Sequence, residues 1–284
     1  MSYRDRRSFS RLVPRVAVGT LLVSLLLLLR WHLDDVRYIW HYYTTETPSP
    51  PVDVAPGDKV VVMAKLQHQN TDWVAQFLPE YVFKHHLHAR TSIREVPLAN
   101  SIGSWQTAIY TVDAPAKLRG VPTNKGHESM AYLTYLIDHY DTLPSTIAFL
   151  HSHRNGYWTG WHTDARGHDN VESLRALRLD TVQRLGYVNL RCQWSPGCKP
   201  AHRKNAHVTP EIWRDIFNTS EAVPELLGAA CCAQFAVSNS QVQRRSKSDY
   251  ERIRQWVLDT PLSDRKSGRV MEFLWHVIFG KDAV

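Results

Sequence analysis

The sequence predicts an α/β fold: one domain with a central, mostly parallel (mixed) sheet that is flanked by helices. Residues 59–66, KVVVMAKL, form an apolar, β-branched run of the kind that is buried on both faces of a parallel sheet. Residues 128–140 carry apolar side chains at helical spacing, and residues 145–151, STIAFLH, follow as a strand. A strand, a helix and a strand in this order imply a right-handed crossover between parallel strands.

The remaining strands and the first helix are predicted from shorter patterns. Residues 71–82 are expected to form a short helix that Thr71 or Asp72 caps. Three more segments are rich in β-branched and aromatic residues and are expected to be strands: residues 90–96, 107–113 and 233–238.

The later helices carry their own start and stop signals. Asp169 is expected to cap a helix over residues 171–185, and Ser248 one over residues 250–258, because a glutamate follows each at capping-box spacing. Thr209 and Pro210 mark the start of a helix over residues 211–217. A last helix over residues 268–280 should end at Gly280.

The positive charge of the chain is concentrated at its N-terminus. The net charge is +7, and five arginines lie within the first fifteen residues. The remainder has no dense Lys/Arg stripe interleaved with aromatic residues, which is the usual footprint of a nucleic-acid-binding protein. We therefore expect no nucleic-acid partner.

An apolar segment after this basic tail predicts a membrane anchor. Residues 16–29 are fourteen uncharged, mostly apolar residues, fewer than the roughly twenty of a typical span. Arg15 and Arg30 can extend the span by snorkelling. We predict a cytoplasmic tail over residues 1–15 and a single transmembrane signal anchor over residues 16–33. A cleaved signal peptide is the alternative, although no small-x-small site follows Leu29.

The anchor sets the expected topology of the rest of the chain. Basic residues precede the apolar run, so the C-terminal part should be lumenal, as in a single-pass type II protein of the Golgi or endoplasmic reticulum. Residues 34–58 contain a Pro-rich stretch, which is typical of a stem between a membrane anchor and a folded domain. Residues 59–284 should form the lumenal α/β domain.

Four cysteines and one sequon fit an oxidising compartment. Cys192, Cys198, Cys231 and Cys232 predict one or two disulfides. Adjacent cysteines seldom pair, so bridges from Cys231 and Cys232 to the other two are expected; a zinc site lacks a CxxC pair. Asn218 in NTS is a glycosylation acceptor.

The turn before the helix at residues 128–140 is the first candidate binding site. Gly126 permits a tight turn, and the helix that follows offers free backbone N–H groups to an anion. Asn124 can donate and accept hydrogen bonds, and Glu128 can hold a hydroxyl. The alternative is that these residues only cap the helix.

A cluster of histidines is the second candidate. His151 and His153 point to the same side of an extended chain. With His162 and Asp164 they form the densest set of nitrogen and oxygen ligands in the sequence, suited to Zn or Mn. A buried histidine network without metal is the alternative. Two aromatic side chains in the same loop could face a sugar ring: Trp158 and Trp161.

The last predicted helix is the third candidate. Arg269, Glu272 and His276 share a stripe beside its apolar face. A carboxylate with a histidine one turn away could act as a general base, whereas the alternative is an internal Arg–Glu pair. The chain has no GxSxG, GxxxxGK[ST] or GxGxxG motif, which argues against serine hydrolases, P-loop ATPases and Rossmann dehydrogenases.

Several segments in fixed order resemble a known family: DWV, VPTNKGHESMAYLTYLIDHYDTLP, FLHSHR, WHTD, GYVNLRCQWSPGC, CCAQFAVS and SGRVMEFLWHVIFGK. They span roughly residues 60–281 and resemble the largely fungal domain-of-unknown-function family 3431. This resemblance implies no established activity. Members often carry an N-terminal hydrophobic segment, as this chain does.

A looser resemblance implies a function. An NxGxE turn that opens a helix, a strand that ends in polar ligands, a QFAVS strand and a late Glu-bearing helix resemble nucleotide-sugar transferases of the GT-A type. In that architecture the diphosphate and its metal lie at the end of the central strand, at an acidic DxD. Here that place holds His151, Ser152 and His153.

The expected function is therefore a membrane-anchored, glycosyltransferase-like protein that uses a nucleotide-sugar, a glycan acceptor and a divalent metal. Its donor would be held by Asn124, Gly126, Glu128 and Arg154, with His151 and His153 on the metal or diphosphate. Glu272 would deprotonate the acceptor hydroxyl. Two alternatives remain: a catalytically silent glycan-binding domain that uses the Trp158/Trp161 loop, and a metal-dependent hydrolase centred on the histidines.

Overall fold

The computed structural model describes residues 20–27, 58–78, 105–155, 162–193 and 207–284. The chain divides into two compact units, Met1–Pro50 and Pro51–Val284. In the first unit residues 20–27 form a helix, α1, with exposed side chains. No helix within the described parts of the chain is long and apolar enough to cross a bilayer. The rest of the predicted anchor, the stem before residue 58 and the predicted strand at residues 90–96 lie outside the described residues.

The second unit is built on a five-stranded mixed sheet, so the predicted α/β class is confirmed. The spatial order is β2-β1-β3-β5-β4. β1 pairs in parallel with β2 and with β3, while β5 runs antiparallel between β3 and β4. The strands are β1 Lys59–Lys65, β2 Gln106–Thr111, β3 Thr146–His151, β4 Tyr187–Asn189 and β5 Phe235–Ser238.

Successive residues of the central strands alternate between two apolar cores. Phe149 of β3 packs with Phe235 on one face of the sheet, and Ala148 and Leu150 contribute to the other face, as the period of two for a strand requires. The first face is covered by α3 Ser129–Asp138, α6 Pro210–Phe217, α8 Lys247–Asp259 and α9 Asp264–Ile278. The second face is covered by α2 Asp72–Phe77, α4 Asn170–Ala176 and α5 Leu179–Leu185. The short α7 spans Asn239–Val242.

Two of the predicted helix caps are confirmed. The Asp169 carboxylate accepts a hydrogen bond from the backbone N–H of Val171 at the start of α4. The Thr209 hydroxyl accepts one from Ile212 at the start of α6, with Pro210 in the first turn. Gly280, at φ +71°, follows the end of α9 as expected.

Other boundaries differ from the sequence prediction. The single helix expected over residues 171–185 is two helices, because Leu177 and Arg178 are extended. This break lets Leu177 and Leu179 pack together on the second core, since residues two apart in an extended chain share a side. α8 begins earlier than predicted: its cap is Ser246, not Ser248, and its hydroxyl accepts from the Asp249 N–H. α9 likewise begins at Asp264 rather than at residue 268.

The topology brings distant segments to one edge of the sheet. β1, β2 and β3 all end at this carboxyl edge because they are parallel. β5 starts there because it is antiparallel to β3. α3 follows β2 and therefore begins at the same edge, beside the last residues of β3.

We predict that two glycines with similar φ angles respond differently to substitution. Gly126 has φ +75°, and a Cβ there would lie 2.7 Å from Cγ1 of Val257. Gly167 has φ +68° with open space around its Cβ position. Gly167→Ala should cost about 1 kcal/mol of unfolding free energy, from the left-handed backbone alone. Gly126→Ala should cost about 3 kcal/mol, since overpacking against α8 is added.

Urea-induced unfolding of both variants measures this difference. Equal losses for Gly126→Ala and Gly167→Ala would contradict the close approach of the turn to α8.

Candidate functional site

A buried pair of amide side chains organises the carboxyl edge. Gln234 and Asn170 are each 1% exposed, and they bond to each other with Nε2–Oδ1 and Nδ2–Oε1 distances of 2.9 and 3.2 Å. The Gln234 amide also accepts from the N–H of His151 and donates to the carbonyl of His162. Asn170 donates to the carbonyl of His153. The backbone at three histidines is therefore fixed by one amide pair.

The His162 ring lies near the rings of both His151 and His153. The ring centroids of His151 and His162 are 4.4 Å apart, and those of His153 and His162 are 6.3 Å apart. Burial lowers the pKa of His162 to about 3, with smaller contributions from the other two histidines. Burial also lowers the pKa of His151 and of His153. All three are consequently neutral at pH 7, the form in which imidazole binds metals and both donates and accepts hydrogen bonds.

Asp164, the fourth predicted metal ligand, has other hydrogen-bond partners. The Asp164 carboxylate accepts from the backbone N–H groups of Cys192 and Gln193, and it lies 3.9 Å from Nε of the buried Arg191. Over the described residues, the four predicted ligands do not form a group of converging ligand atoms. The residues present do not fit a metal held by all four.

Two carboxyl groups interact electrostatically at the same edge, those of Glu128 and Glu272. Glu272 of α9 is 13% exposed. Its Oε1 accepts from the Cys232 N–H at 2.8 Å, and its Oε2 is 2.6 Å from Nη1 of Arg269. Glu128 precedes α3 and is partly buried. Burial raises the pKa of Glu128 to about 7, and the negative charge of Glu272 adds to the rise.

The turn from residue 124 to residue 128 is tied to α8 and α9. Lys125 Nζ donates to the carbonyls of Leu258 and Thr260 at the end of α8. The His127 N–H donates to Asp264 of α9 at 3.0 Å, and its Nε2 lies 3.2 Å from the same carboxylate. These contacts, with Gly126, place Glu128 opposite α9. Asn124 is exposed.

The family described as "Protein of unknown function (DUF3431)" matches residues 61–284. The chain belongs to this family. Nothing among the curated proteins or the solved structures matches it. The amide pair, both carboxyl groups and the sheet, apart from the first two residues of β1, fall within the DUF3431 domain.

Other predicted site residues of the DUF3431 domain form contacts that stabilise the fold. Arg154 forms an ion pair of 3.0 Å with Asp169, and its guanidinium lies 3.8 Å from the ring centroid of Phe77. It lines a shallow depression at the carboxyl edge together with His153 and Trp73 of α2. His276 Nε2 is 3.2 Å from the carbonyl of Ala283, which ties this ring to the C-terminal segment.

The cysteines pair differently from the expectation. Cys231 is bonded to its neighbour Cys232, whereas Cys192 is free and exposed. The chain turns through the left-handed region at Cys232 and Ala233, with φ of +91° and +50°. This turn brings adjacent sulfurs together, so the prediction of bridges to Cys192 does not hold.

The remaining predicted residues are exposed or undescribed. Asn218 ends α6 in the left-handed conformation and is exposed at an open depression beside Trp256. Trp158, Trp161 and Cys198 lie outside the described residues.

Sequence reasoning missed the amide pair of the DUF3431 domain. Gln234 is a polar residue inside an otherwise apolar strand segment, and Asn170 follows the Asp169 cap directly. A buried amide within a strand requires hydrogen-bond partners. That requirement was the available signal for Gln234, while Asn170 looked like any residue at the start of a helix.

We predict opposite stability effects for the two carboxyl groups. Because burial raises the Glu128 pKa from 4.5 to about 7, ionising this group costs folding free energy as the pH rises through that interval. Glu128→Gln should therefore raise the unfolding free energy at pH 8 by about 1–3 kcal/mol, and by less at pH 5. Glu272→Gln weakens the contacts to Arg269 and Cys232 and should lower it by about 1–3 kcal/mol.

Denaturant unfolding at pH 5 and pH 8 measures both effects. A Glu128→Gln chain that is less stable than the original at pH 8 would show that its carboxylate is a stabilising partner.

Proposed function

We propose that the DUF3431 domain is a glycosyltransferase-like enzyme that moves a sugar from a nucleotide-sugar to a hydroxyl of a glycan acceptor. The observation that carries the proposal is the partly buried carboxyl of Glu128, because burial, with a further contribution from the charge of Glu272, raises its pKa to about 7. A base that is half ionised at neutral pH is suited to remove a proton from a hydroxyl. Strongly perturbed carboxyl groups of this kind concentrate at functional sites.

The sheet topology supports a ligand at the same edge. The chain passes from β2 on one side of β1 to β3 on the other side. Open α/β sheets bind ligands at the carboxyl ends of the strands where the order switches in this way. The loops after β1 and β3 meet here, since the Ser152 hydroxyl donates to Oε1 of Gln69 at 2.9 Å. We place the donor beside these two loops.

The two carboxyl groups have different roles in the proposed reaction. Both oxygens of Glu272 are engaged, one by Arg269 and one by the Cys232 N–H. Glu272 is therefore the positioning residue, and its charge helps to set the pKa of Glu128. Glu128 takes the place that the sequence suggested for Glu272, as the general base.

The transfer step forms one bond at the anomeric carbon of the donor and breaks another. The acceptor hydroxyl gives its proton to the Glu128 carboxylate as its oxygen forms a bond to the anomeric carbon. The bond between that carbon and the donor phosphate breaks, and the nucleotide leaves with the electron pair. Glu272 and Asp264 raise the pKa of Glu128 and His127 lowers it, so these three charges tune the base.

We propose that the domain acts in the membrane setting that the sequence predicts. Residues 16–33 would anchor the chain and residues 34–58 would hold the domain away from the bilayer in the lumen of the endoplasmic reticulum or Golgi. A basic tail before the apolar run supports this orientation.

A metal-dependent hydrolase is the second candidate, because three neutral imidazoles lie together at this edge. It predicts that water, rather than a glycan hydroxyl, accepts the group that is transferred.

We predict that one nucleotide-sugar from a donor panel binds the full chain in calorimetric titrations with Mn²⁺ present. Glu128→Gln should bind that donor normally and lose transfer by about 10²–10⁴-fold, since only the base is removed.

In the original chain, kcat should rise with pH to a plateau, with a midpoint near the Glu128 pKa of about 7. Glu272→Gln should move this midpoint to lower pH.

The control is Glu251→Gln, on an exposed face of α8, which should leave transfer unchanged. Flat titrations across the whole panel, or full transfer by the Glu128→Gln chain, would contradict the proposal. Donor hydrolysis without transfer to any acceptor would favour the hydrolase.

A further inference from the structure

The peptide bond between Cys231 and Cys232 carries a contact that positions Glu272. The two sulfurs are bonded to each other, so this peptide lies inside the small ring that the bond closes. Its N–H belongs to Cys232 and donates to Oε1 of Glu272 at 2.8 Å. Both sulfurs lie within 4.8 Å of a Glu272 carboxylate oxygen. The direction of the N–H that holds Glu272 therefore depends on the shape of this ring.

The backbone at the ring has a conformation that residues with a Cβ rarely adopt. Cys232 has φ +91° and Ala233 has φ +50°, within the short helical turn Cys231–Ala233. Left-handed backbone is unfavourable for each of these residues, and it persists only where other contacts impose it. The bond between the sulfurs is one such restraint, because it limits rotation about ψ of Cys231 and φ of Cys232.

The same turn adjoins a second predicted site residue. Burial lowers the pKa of His151, whereas the charge of Glu272 and the backbone of Cys232 raise it, so both groups lie near the imidazole. The backbone N–H of His151 also donates to the side chain of Gln234, two residues beyond Cys232. A change of conformation at Cys232 would therefore act on Glu272 directly and would alter the surroundings of His151.

We propose that the Cys231–Cys232 bond is a redox-sensitive switch, which keeps Glu272 bonded to the Cys232 N–H in the oxidised chain and releases it on reduction. This inference rests on the proposed function in one respect, since Glu272 is the residue that positions and tunes the Glu128 base. The amide pair does not involve the bond between the sulfurs, so the sheet should stay folded in both states. Reduction should lower kcat by on the order of 10-fold, the equivalent of one lost hydrogen bond to a carboxylate.

The reductant that the switch requires is a dithiol. One of its thiolates attacks a sulfur of the Cys231–Cys232 bond and forms a mixed disulfide, which the second thiolate of the reductant then attacks. Two electrons and two protons pass to the protein, which gains two thiols, and the reductant becomes a cyclic disulfide. Cys232 is partly exposed, so a small dithiol has access to the bond.

The test compares the oxidised full chain with the same chain kept in dithiothreitol. Deuterium exchange of the Cys232 N–H reports its bond to Glu272 and requires no activity. In the reduced chain this N–H should exchange faster by on the order of 10-fold, while the N–H groups of β3 keep their rates. The carboxyl NMR signal of Glu128 should also titrate at lower pH after reduction, because the charge of Glu272 moves away from it.

Two variants show which cysteines respond. The double variant Cys231→Ser with Cys232→Ser should resemble the reduced chain and should not respond to dithiothreitol. Cys192→Ser is the matched control, since Cys192 is free and exposed, and it should respond as the original chain does. Reduction of the original chain requires no substitution, so it tests the switch even where the double variant does not fold.

The inference is overturned if the Cys232 N–H keeps its exchange rate after reduction, or if β3 loses protection to the same extent. Either result would count against the switch even where transfer from a nucleotide-sugar is confirmed. A chain that binds no donor but shows the expected exchange and Glu128 titration would support the switch and contradict the proposed function.

Discussion

The side chain of Gln234 is the contact on which the carboxyl edge depends. β5 is antiparallel to its neighbours, and for that reason its first residues reach the edge where β1 and β3 end. The Gln234 amide then joins the start of β5 to three positions more than sixty residues earlier in the chain: the end of β3, the segment before α4 and the start of α4 itself. A buried amide that lost these partners would cost about 1–3 kcal/mol. The same bonds that stabilise the fold therefore fix the positions of the histidines.

The other part of the carboxyl edge, around Glu128, depends on electrostatic interactions. Helix α3 begins beside α9 because the turn at Gly126 packs closely on α8, and His127 is bonded to Asp264. This arrangement places the Glu128 carboxyl near a second carboxylate in a partly buried position, where ionisation is unfavourable. Such a location does not stabilise a carboxylate that has only a structural role. It does suit a group that must gain and lose a proton near neutral pH, and for this physical reason we assign the reaction to this edge.

Local patterns predicted those features of the fold that depend on neighbouring residues. Strands β1, β3 and β5, helix α3 and the caps Asp169 and Thr209 follow from spacing and capping chemistry within a few residues. The three-residue β4 is too short to have a period, and the break at Leu177 depends on burial against the sheet. The candidate site was predicted in part: its edge and several residues were expected, but the pairing of Glu128 with Glu272 and of Gln234 with Asn170 joins positions far apart in the chain. The bond between Cys231 and Cys232 depends on a left-handed turn that sequence spacing does not reveal.

The central claim is that Glu128 carries a proton at pH values where an ordinary carboxyl is ionised. Carbon NMR of the chain labelled at the glutamate side-chain carboxyl measures this directly, with Glu128→Gln used to assign the signal. The account predicts a titration midpoint near 7, which moves down when Glu272 is replaced by Gln. A midpoint close to the usual glutamate value of about 4.3, unchanged by Glu272→Gln, would contradict it.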